Sequence, residues 1–331
     1  MNHDIASLGK QHLTTSEVLA CDFQKFNKND ANLAGGKGAS LGEMIKANIP
    51  VPPGFVILST TFEKFLKETN LNTKINTLFD SVNKKEIDTI KNASEKIKTL
   101  ITNAEIPKDI SDEIKRNFNL LGSKYVAVRS SATSEDSVDT AWAGQLESYL
   151  NTTEEFLLEN VKKCWASLFT PRAIFYRFEK NLHNQKISVA VVIQKMIESE
   201  ISGIAFSVHP ITKNENQIII EAGLGLGEAI VLGQITPDNY IIEKKPLHII
   251  DKNIQTQTRG LYRAKNGGNE WQEISKENGE KQILSDEKIL ELSNMIINIE
   301  NIFGFPCDTE WAIEKGFIYF LQSRPITTLT I

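Results

Sequence analysis

The chain has 331 residues, 40% hydrophobic and 24% charged, with 19 Gly, 10 Pro and a net charge of −5. Those fractions exclude a disordered or fibrous chain, and the acidic balance removes the electrostatic case for nucleic acid as a main partner. No run nears the roughly 18 apolar residues of a membrane span. The opening MNHDIASLGKQHL lacks the apolar stretch of a secretory signal, and the widely spaced Cys21, Cys164 and Cys307 fit reduced thiols in a cytoplasmic setting better than a disulfide framework.

Residues 1–20 are polar and weakly patterned and read as an extension. Gly35-Gly36-Lys37-Gly38 leads into a helix over 39–47, which Asn48-Ile-Pro-Val-Pro-Pro53 stops. Residues 55–58 read as a buried strand, and Ser59 or Thr60 as the cap of a helix running to about Lys67. Ile87, Ile90, Ile97 and Ile101 predict a helix within 84–102; Pro107 suits a first helical position, and Ile110, Ile114, Phe118 and Leu121 make the next stripe. Residues 125–129 read as a strand that opens into a small polar loop over 130–140. Thr152-x-x-Glu155 reads as a capping box before a helix with Leu157, Val161, Trp165 and Leu168 inward, and Pro171 opens another. Strands follow at 188–194 and 217–221, then a turn-rich region over 252–279, a helix over 286–303 and closing strands at 308–313 and 317–322. Helices and strands mix without strict alternation, which favours an α+β fold.

Four places carry candidate chemistry. The loop at 35–38 offers backbone N–H groups and one Lys at a helix start, a workable phosphate cradle, or else a tight loop that only starts a helix; the spacing is not that of a P-loop. Arg129, one of seven Arg, ends an apolar strand beside Ser130, Ser131, Thr133 and Ser134. Its guanidinium suits bidentate phosphate recognition; an ion pair with Glu135 or Asp136 is the alternative. Downstream, Gly144 allows backbone to approach a phosphate closely. Gly223-Leu-Gly-Leu-Gly227 misses the dinucleotide pattern, since its third Gly would fall at Glu228, and reads as tight-turn packing.

The closing hairpin is the sharpest signal. A three-residue loop, Glu314-Lys315-Gly316, would pair Ile313 with Phe317 and set Asp308 opposite Gln322, with Glu310 one diagonal away. A two-residue loop would instead put Gln322 behind Thr309. With Arg324 the favoured register builds a patch of two carboxylates, an amide oxygen and a guanidinium. Such oxygens suit Mg²⁺ completed by phosphate and water, unless they form a solvated polar face. Trp311, Tyr319 and Leu321 would seat the hairpin on a core. The five His (3, 12, 183, 209 and 248) make no metal-ligand spacing, and neither G-x-S-x-G nor H-E-x-x-H occurs.

Together, Asn32-Leu-Ala-Gly-Gly-Lys-Gly-Ala-Ser-Leu-Gly42, Pro50-Val-Pro-Pro-Gly-Phe55, Val128-Arg-Ser-Ser-Ala-Thr-Ser-Glu-Asp136 and Ala143-Gly-Gln-Leu-Glu-Ser-Tyr-Leu150 resemble the nucleotide-binding region of the phosphoenolpyruvate synthase and pyruvate phosphate dikinase family. Gly225-Leu-Gly-Glu228, Thr236-Pro-Asp238 and Leu321-Gln-Ser-Arg-Pro-Ile326 extend the likeness in order to about residue 329, and rifamycin-type phosphotransferases share the region.

The resemblance implies an ATP-grasp fold: an extension over 1–20, an N-terminal lobe over 21–190 with the phosphate loops, and a C-terminal lobe over 191–331 with the adenine and metal segments. It implies that Lys37, Arg129 and Arg324 act on the ATP phosphates, that Gly144, Gln145 and Ser148 cover them, and that Gln194 and Met196 line the adenine. Glu310 and Gln322 would hold Mg²⁺, with Asp308 close by. In this family ATP phosphorylates a histidine on a swivelling domain, and a further domain passes the phosphate to pyruvate, giving phosphoenolpyruvate, AMP and phosphate. None of the five His here has the family's Gly-Gly-x-x-Cys-His context, so the phosphohistidine carrier and the pyruvate site are expected on another chain or a missing part. Transfer to a small molecule, or a non-catalytic ATP-binding module, are the alternatives.

Overall fold

A computed structural model describes residues 18–133, 147–180, 182, 187–265, 267–326 and 329. Most of the expected extension, the later part of the polar loop after Arg129, and Gly144, Gln145 and His183 lie outside them.

The chain opens with β1 (Ala20–Asp22), a 3-10 turn with Phe23 buried, and α1 (Ala31–Lys46). α1 is broken at Gly35, whose φ of 67° leaves the helical region. β2 (Gly54–Ile57) and α2 (Ser59–Glu68) follow. Leu58 is the cap of α2, and Ser59 Oγ donates to the Asn32 carbonyl instead of capping. Next come α3 (Leu71–Asp80), α4 (Ile87–Asn103) and α5 (Lys108–Leu121), the last with Pro107 at its cap. β3 (Val126–Ala132) and β4 (Ser148–Thr152) lead to α6 (Glu154–Ala166), which is capped at Thr153 without the expected box; Thr152 Oγ1 donates to the Tyr149 carbonyl. α7 (Pro171–Glu179) does start at its proline, with Thr170 accepting from the Ala173 N–H.

β5 (Val189–Lys195), β6 (Ile201–Phe206) and β7 (Gln217–Leu224) are followed by the one-turn α8 (Glu228–Val231). The region read as turns holds the end of a hairpin, β8 (Asp238–Lys244) with β9 (Leu247–Asn253), then a second hairpin, β10 (Arg259–Arg263) with β11 (Asn269–Glu273), and the short α9 (Lys276–Gly279). α10 (Asp286–Phe303), β12 (Cys307–Glu314) and β13 (Phe317–Pro325) close the fold. Among the described residues no helix is long and apolar enough to cross a membrane.

Two antiparallel sheets organise these elements. The first runs β1-β2-β5-β3-β4, the second β13-β12-β6-β7-β8-β9. A boundary at 190/191 falls inside β5, which stays in the first sheet through Lys195. β5 is apolar on both sides because both are covered. Val189, Val191 and Ile193 pack into a core with α2–α7, while Ala190 and Val192 face α1 and the second sheet. The second sheet sends Ile218, Ile220, Tyr240 and Ile242 into that other core, against Ile289, Leu292, Ile296 and Ile299 of α10. β3 obeys the same alternation: Val126 and Val128 enter the helical core, so Ala127 and Arg129 face the second sheet.

Candidate active site

A cleft of about 400 Å³ lies between the sheets. Lys37, Arg129, Ser148, Gln194, Met196, Glu310, Gln322 and Arg324 all line it. Residues up to 287 positions apart in the sequence, Lys37 and Arg324, are thus brought to one space by the pairing of two sheets. Asp308 does not line the cleft but holds Arg324, whose Nε and Nη2 lie 2.8 and 2.7 Å from its Oδ2.

Local structure sets each of these groups. At the break in α1, a Cβ on Gly35 would stand 2.1 Å from Ser131 Oγ, so only Gly fits. Ser131 Oγ donates to the Ala34 carbonyl at 3.0 Å and accepts from the Lys37 N–H at 3.1 Å. The backbone groups expected to form a phosphate cradle are therefore partly engaged by a hydroxyl. What the break delivers to the cleft is the Lys37 side chain.

The closing hairpin departs from its expected register. Lys315 and Gly316, at φ 51° and 80°, form a two-residue turn, and Glu314 pairs with Phe317. That turn alone would have hidden Gln322 behind Thr309. A bulge at Leu321 instead returns Gln322 to the cleft face, directly opposite Glu310, and sets Asp308 opposite Arg324. The same shift changes the core face. Ile318 and Phe320 join Trp311 and Ile313 in the core, whereas Tyr319 is half-buried and Leu321 lines the cleft.

Arg129 crosses from the first sheet to this hairpin. Its Nη1 donates to the Leu321 carbonyl at 2.9 Å, and its Nη2 donates to Glu310 Oε2 at 2.9 Å and Gln322 Oε1 at 2.7 Å. The expected alternative partners, Glu135 and Asp136, lie outside the described residues. Arg129 is buried and Glu310 half-buried, so charge-assisted bonds here weigh more than surface pairs. Burial pushes the Asp308 carboxyl above the ordinary carboxylate range, and Glu310 pushes the same way, against the opposing pull of Arg324. Burial likewise raises the Glu221 carboxyl, with Asp308 adding to it.

At the far end the cleft is apolar. Met196 packs beside Leu226, Ala229 and Leu261, and the Met196 N–H donates to the Tyr125 carbonyl. Gln194 is buried there, and its Nε2 has no partner among the described residues. Residue-by-residue reading had passed over Glu228, which lines the cleft at the start of α8. Its sequence signals were the glycine-rich turn before it and the Gly225-Leu-Gly-Glu228 segment of the resemblance; the turn does pack tightly, since a Cβ on Gly225 would meet the Leu261 carbonyl at 2.3 Å. Among the described residues no three His, Cys, Asp or Glu cluster as a metal cage, and all three cysteines are buried and unpaired. Glu310 and Gln322 nevertheless direct oxygens at one shared cationic group, a partial donor set that suits Mg²⁺ finished by phosphate and water.

Residues 31–330 match the family model described as pyruvate phosphate dikinase, AMP/ATP-binding domain. The chain belongs to that family. Its α+β architecture is of the ATP-grasp type that the family shares. The chain is 44% identical over 314 residues to a probable phosphoenolpyruvate synthase of Methanocaldococcus jannaschii, covering 93% of this chain and 26% of that one. A probable phosphoenolpyruvate synthase of Methanothermobacter thermautotrophicus is 40% identical, over 99% of this chain and 48% of its own length. Rifampicin phosphotransferase of Bacillus subtilis is 38% identical, over 94% and 36%. The chain thus spans between about a quarter and a half of the length of these relatives.

Proposed function

We propose that the cleft binds Mg·ATP and activates it for phosphoryl transfer, as the ATP-handling module of a phosphoenolpyruvate synthase-type reaction. The observation that carries this reading is the meeting of Lys37, Arg129 and Arg324 with Glu310 and Gln322 in one cleft of an AMP/ATP-binding domain. The apolar end, with Met196 and Gln194, suits the base. Lys37, Arg129 and Arg324 match charge on the phosphates, and Asp308 orients Arg324. Ser148 borders the phosphates, and Gly144 and Gln145, outside the described residues, would cover them as the family resemblance implies. Glu310 and Gln322 would hold Mg²⁺, which when bound neutralises phosphate charge. The module corresponds to two lobes, one per sheet, with the nucleotide between them.

The phosphate acceptor in this reading is a histidine on a carrier domain, on another chain or a further part of this one, and a separate domain serves pyruvate. The setting is cytoplasmic. Direct transfer to a small-molecule hydroxyl is the second reading, favoured by the 38% identity to rifampicin phosphotransferase. Incubation with Mg·ATP and a histidine carrier domain, read by mass spectrometry, tests the first. A phosphohistidine that Lys37→Ala and Glu310→Ala both abolish supports it; normal transfer by both variants refutes it.

A further inference from the structure

Glu310 and Gln322 present their oxygens to a single nitrogen. Arg129 Nη2 lies 2.9 Å from Glu310 Oε2 and 2.7 Å from Gln322 Oε1, while Nη1 is fixed on the Leu321 carbonyl at 2.9 Å. These are the two side chains that would hold a divalent cation, so the inference rests on the proposed function. We propose that Arg129 guards this oxygen pair and makes divalent-cation binding by the chain conditional on nucleotide.

The geometry sets up a competition. A bare divalent ion seeking Glu310 and Gln322 meets a guanidinium already bonded to both. That guanidinium is buried and tied by a third bond, so it does not swing away without loss. Repulsion between an Arg and a divalent ion a few ångström apart is several-fold stronger in a partly buried site than in water. Two side-chain oxygens, only one of them carrying formal charge, offer too little to overcome it.

Nucleotide changes the balance. A phosphate gives the guanidinium an anionic partner that matches its paired N–H groups. Arg129 then exchanges a carboxylate for a phosphate, with its charge still paired. Glu310 and Gln322 are released to a cation that arrives with the phosphates. The coupling is reciprocal: the factor by which nucleotide raises cation affinity is the factor by which the cation raises nucleotide affinity. Arg324 does not play this part, because its Nε and Nη2 are both on Asp308 Oδ2.

The test is a Mn²⁺ titration of the chain followed by electron paramagnetic resonance, first without nucleotide and then with ATP. The wild-type chain is expected to bind no Mn²⁺ below about 1 mM on its own. Arg129→Ala is expected to bind bare Mn²⁺ about tenfold more tightly or better. Adding Glu310→Gln to that variant should remove the gain, and Arg129→Lys, which keeps the charge, should stay near wild type. Submillimolar binding of bare Mn²⁺ by the wild type overturns the proposal, and so does a folded Arg129→Ala with wild-type affinity. If Arg129→Ala does not fold, the wild-type titration alone decides. Failure of the wild type to bind ATP in the presence of Mn²⁺ overturns the nucleotide reading instead.

Discussion

Gln322 stands directly opposite Glu310 because Leu321 is one residue too many for its strand. The bulge does two things at once. It turns an amide that the two-residue turn would have buried onto the cleft face. It also presents the Leu321 carbonyl to Arg129 Nη1 at 2.9 Å. A shortened hairpin lacking Leu321 would still bring Gln322 next after Phe320, but without that carbonyl. We expect this deletion to keep the fold and to weaken ATP binding by about tenfold, the worth of one charge-assisted hydrogen bond. Calorimetric titration with Mg·ATP measures it.

Gly35 tests the link between backbone and Lys37. Ala at this position meets Ser131 Oγ and its carbonyl and must adopt a φ of +67°. We expect Gly35→Ala to cost about 1–3 kcal/mol of stability in chemical denaturation and to lower ATP affinity together with it. Lys37→Ala should lower ATP affinity by more than any change in its stability accounts for.

Burial holds the Glu221 carboxyl above its ordinary range, with Asp308 adding to the shift. The folded chain therefore holds that proton more tightly than the unfolded chain does. The stabilising contribution is full at acid pH, below the unfolded carboxylate range, and fades as pH rises through the raised folded value. Glu221→Gln should melt higher than wild type at neutral pH, and the difference should shrink as pH falls toward 4. Thermal melts across that range check the sign; a variant less stable at pH 7 would contradict it.

The β10–β11 hairpin clasps both sheets. Asn269 Oδ1 accepts from Asn151 Nδ2 of β4 at 2.6 Å, while its own Nδ2 donates to Glu228 Oε2 of α8 at 2.5 Å. Arg263 lies over the Tyr125 ring at 4.2 Å and pairs with Glu198. We expect Asn269→Ala to cost about 1–2 kcal/mol and to speed amide exchange through 259–273. Nucleotide should also leave the variant faster, because Glu228 borders the cleft. Hydrogen-exchange mass spectrometry and a chase of bound nucleotide read the two effects.

Much of the scaffold was legible in the residues. The helix over Asp286–Phe303 lies where the sequence predicts it, and the structure shows Ser285 capping its start by accepting from the Lys288 N–H. β5 announces itself as an unbroken β-branched run. α3 was missed because it starts at Asn70 in the left-handed region with no capping side chain, only two residues after α2 ends. β6 was missed because Gly203 interrupts it; that Gly exists because a Cβ would lie 1.9 Å from the Glu221 carbonyl, a neighbour known only from the fold. β11 is exposed along its whole length and so carries no hydrophobic pattern. In the site, charge and spacing pointed to Lys37, Arg129, Asp308, Glu310, Gln322 and Arg324. The bulge that aligns the hairpin depends on pairing with a partner strand and on Arg129, neither of which local sequence encodes. The place of Gln194 and Met196 came from family resemblance, since an apolar strand end says nothing of what it faces.

Isothermal titration of Mg·ATP into the wild-type chain and into Lys37→Ala/Glu310→Ala tests the central claim most directly. A saturable 1:1 isotherm for the wild type and a loss of about 100-fold or more in the double variant is the expected result. Equal affinities in two well-folded proteins would place the nucleotide elsewhere and contradict the assignment of this cleft.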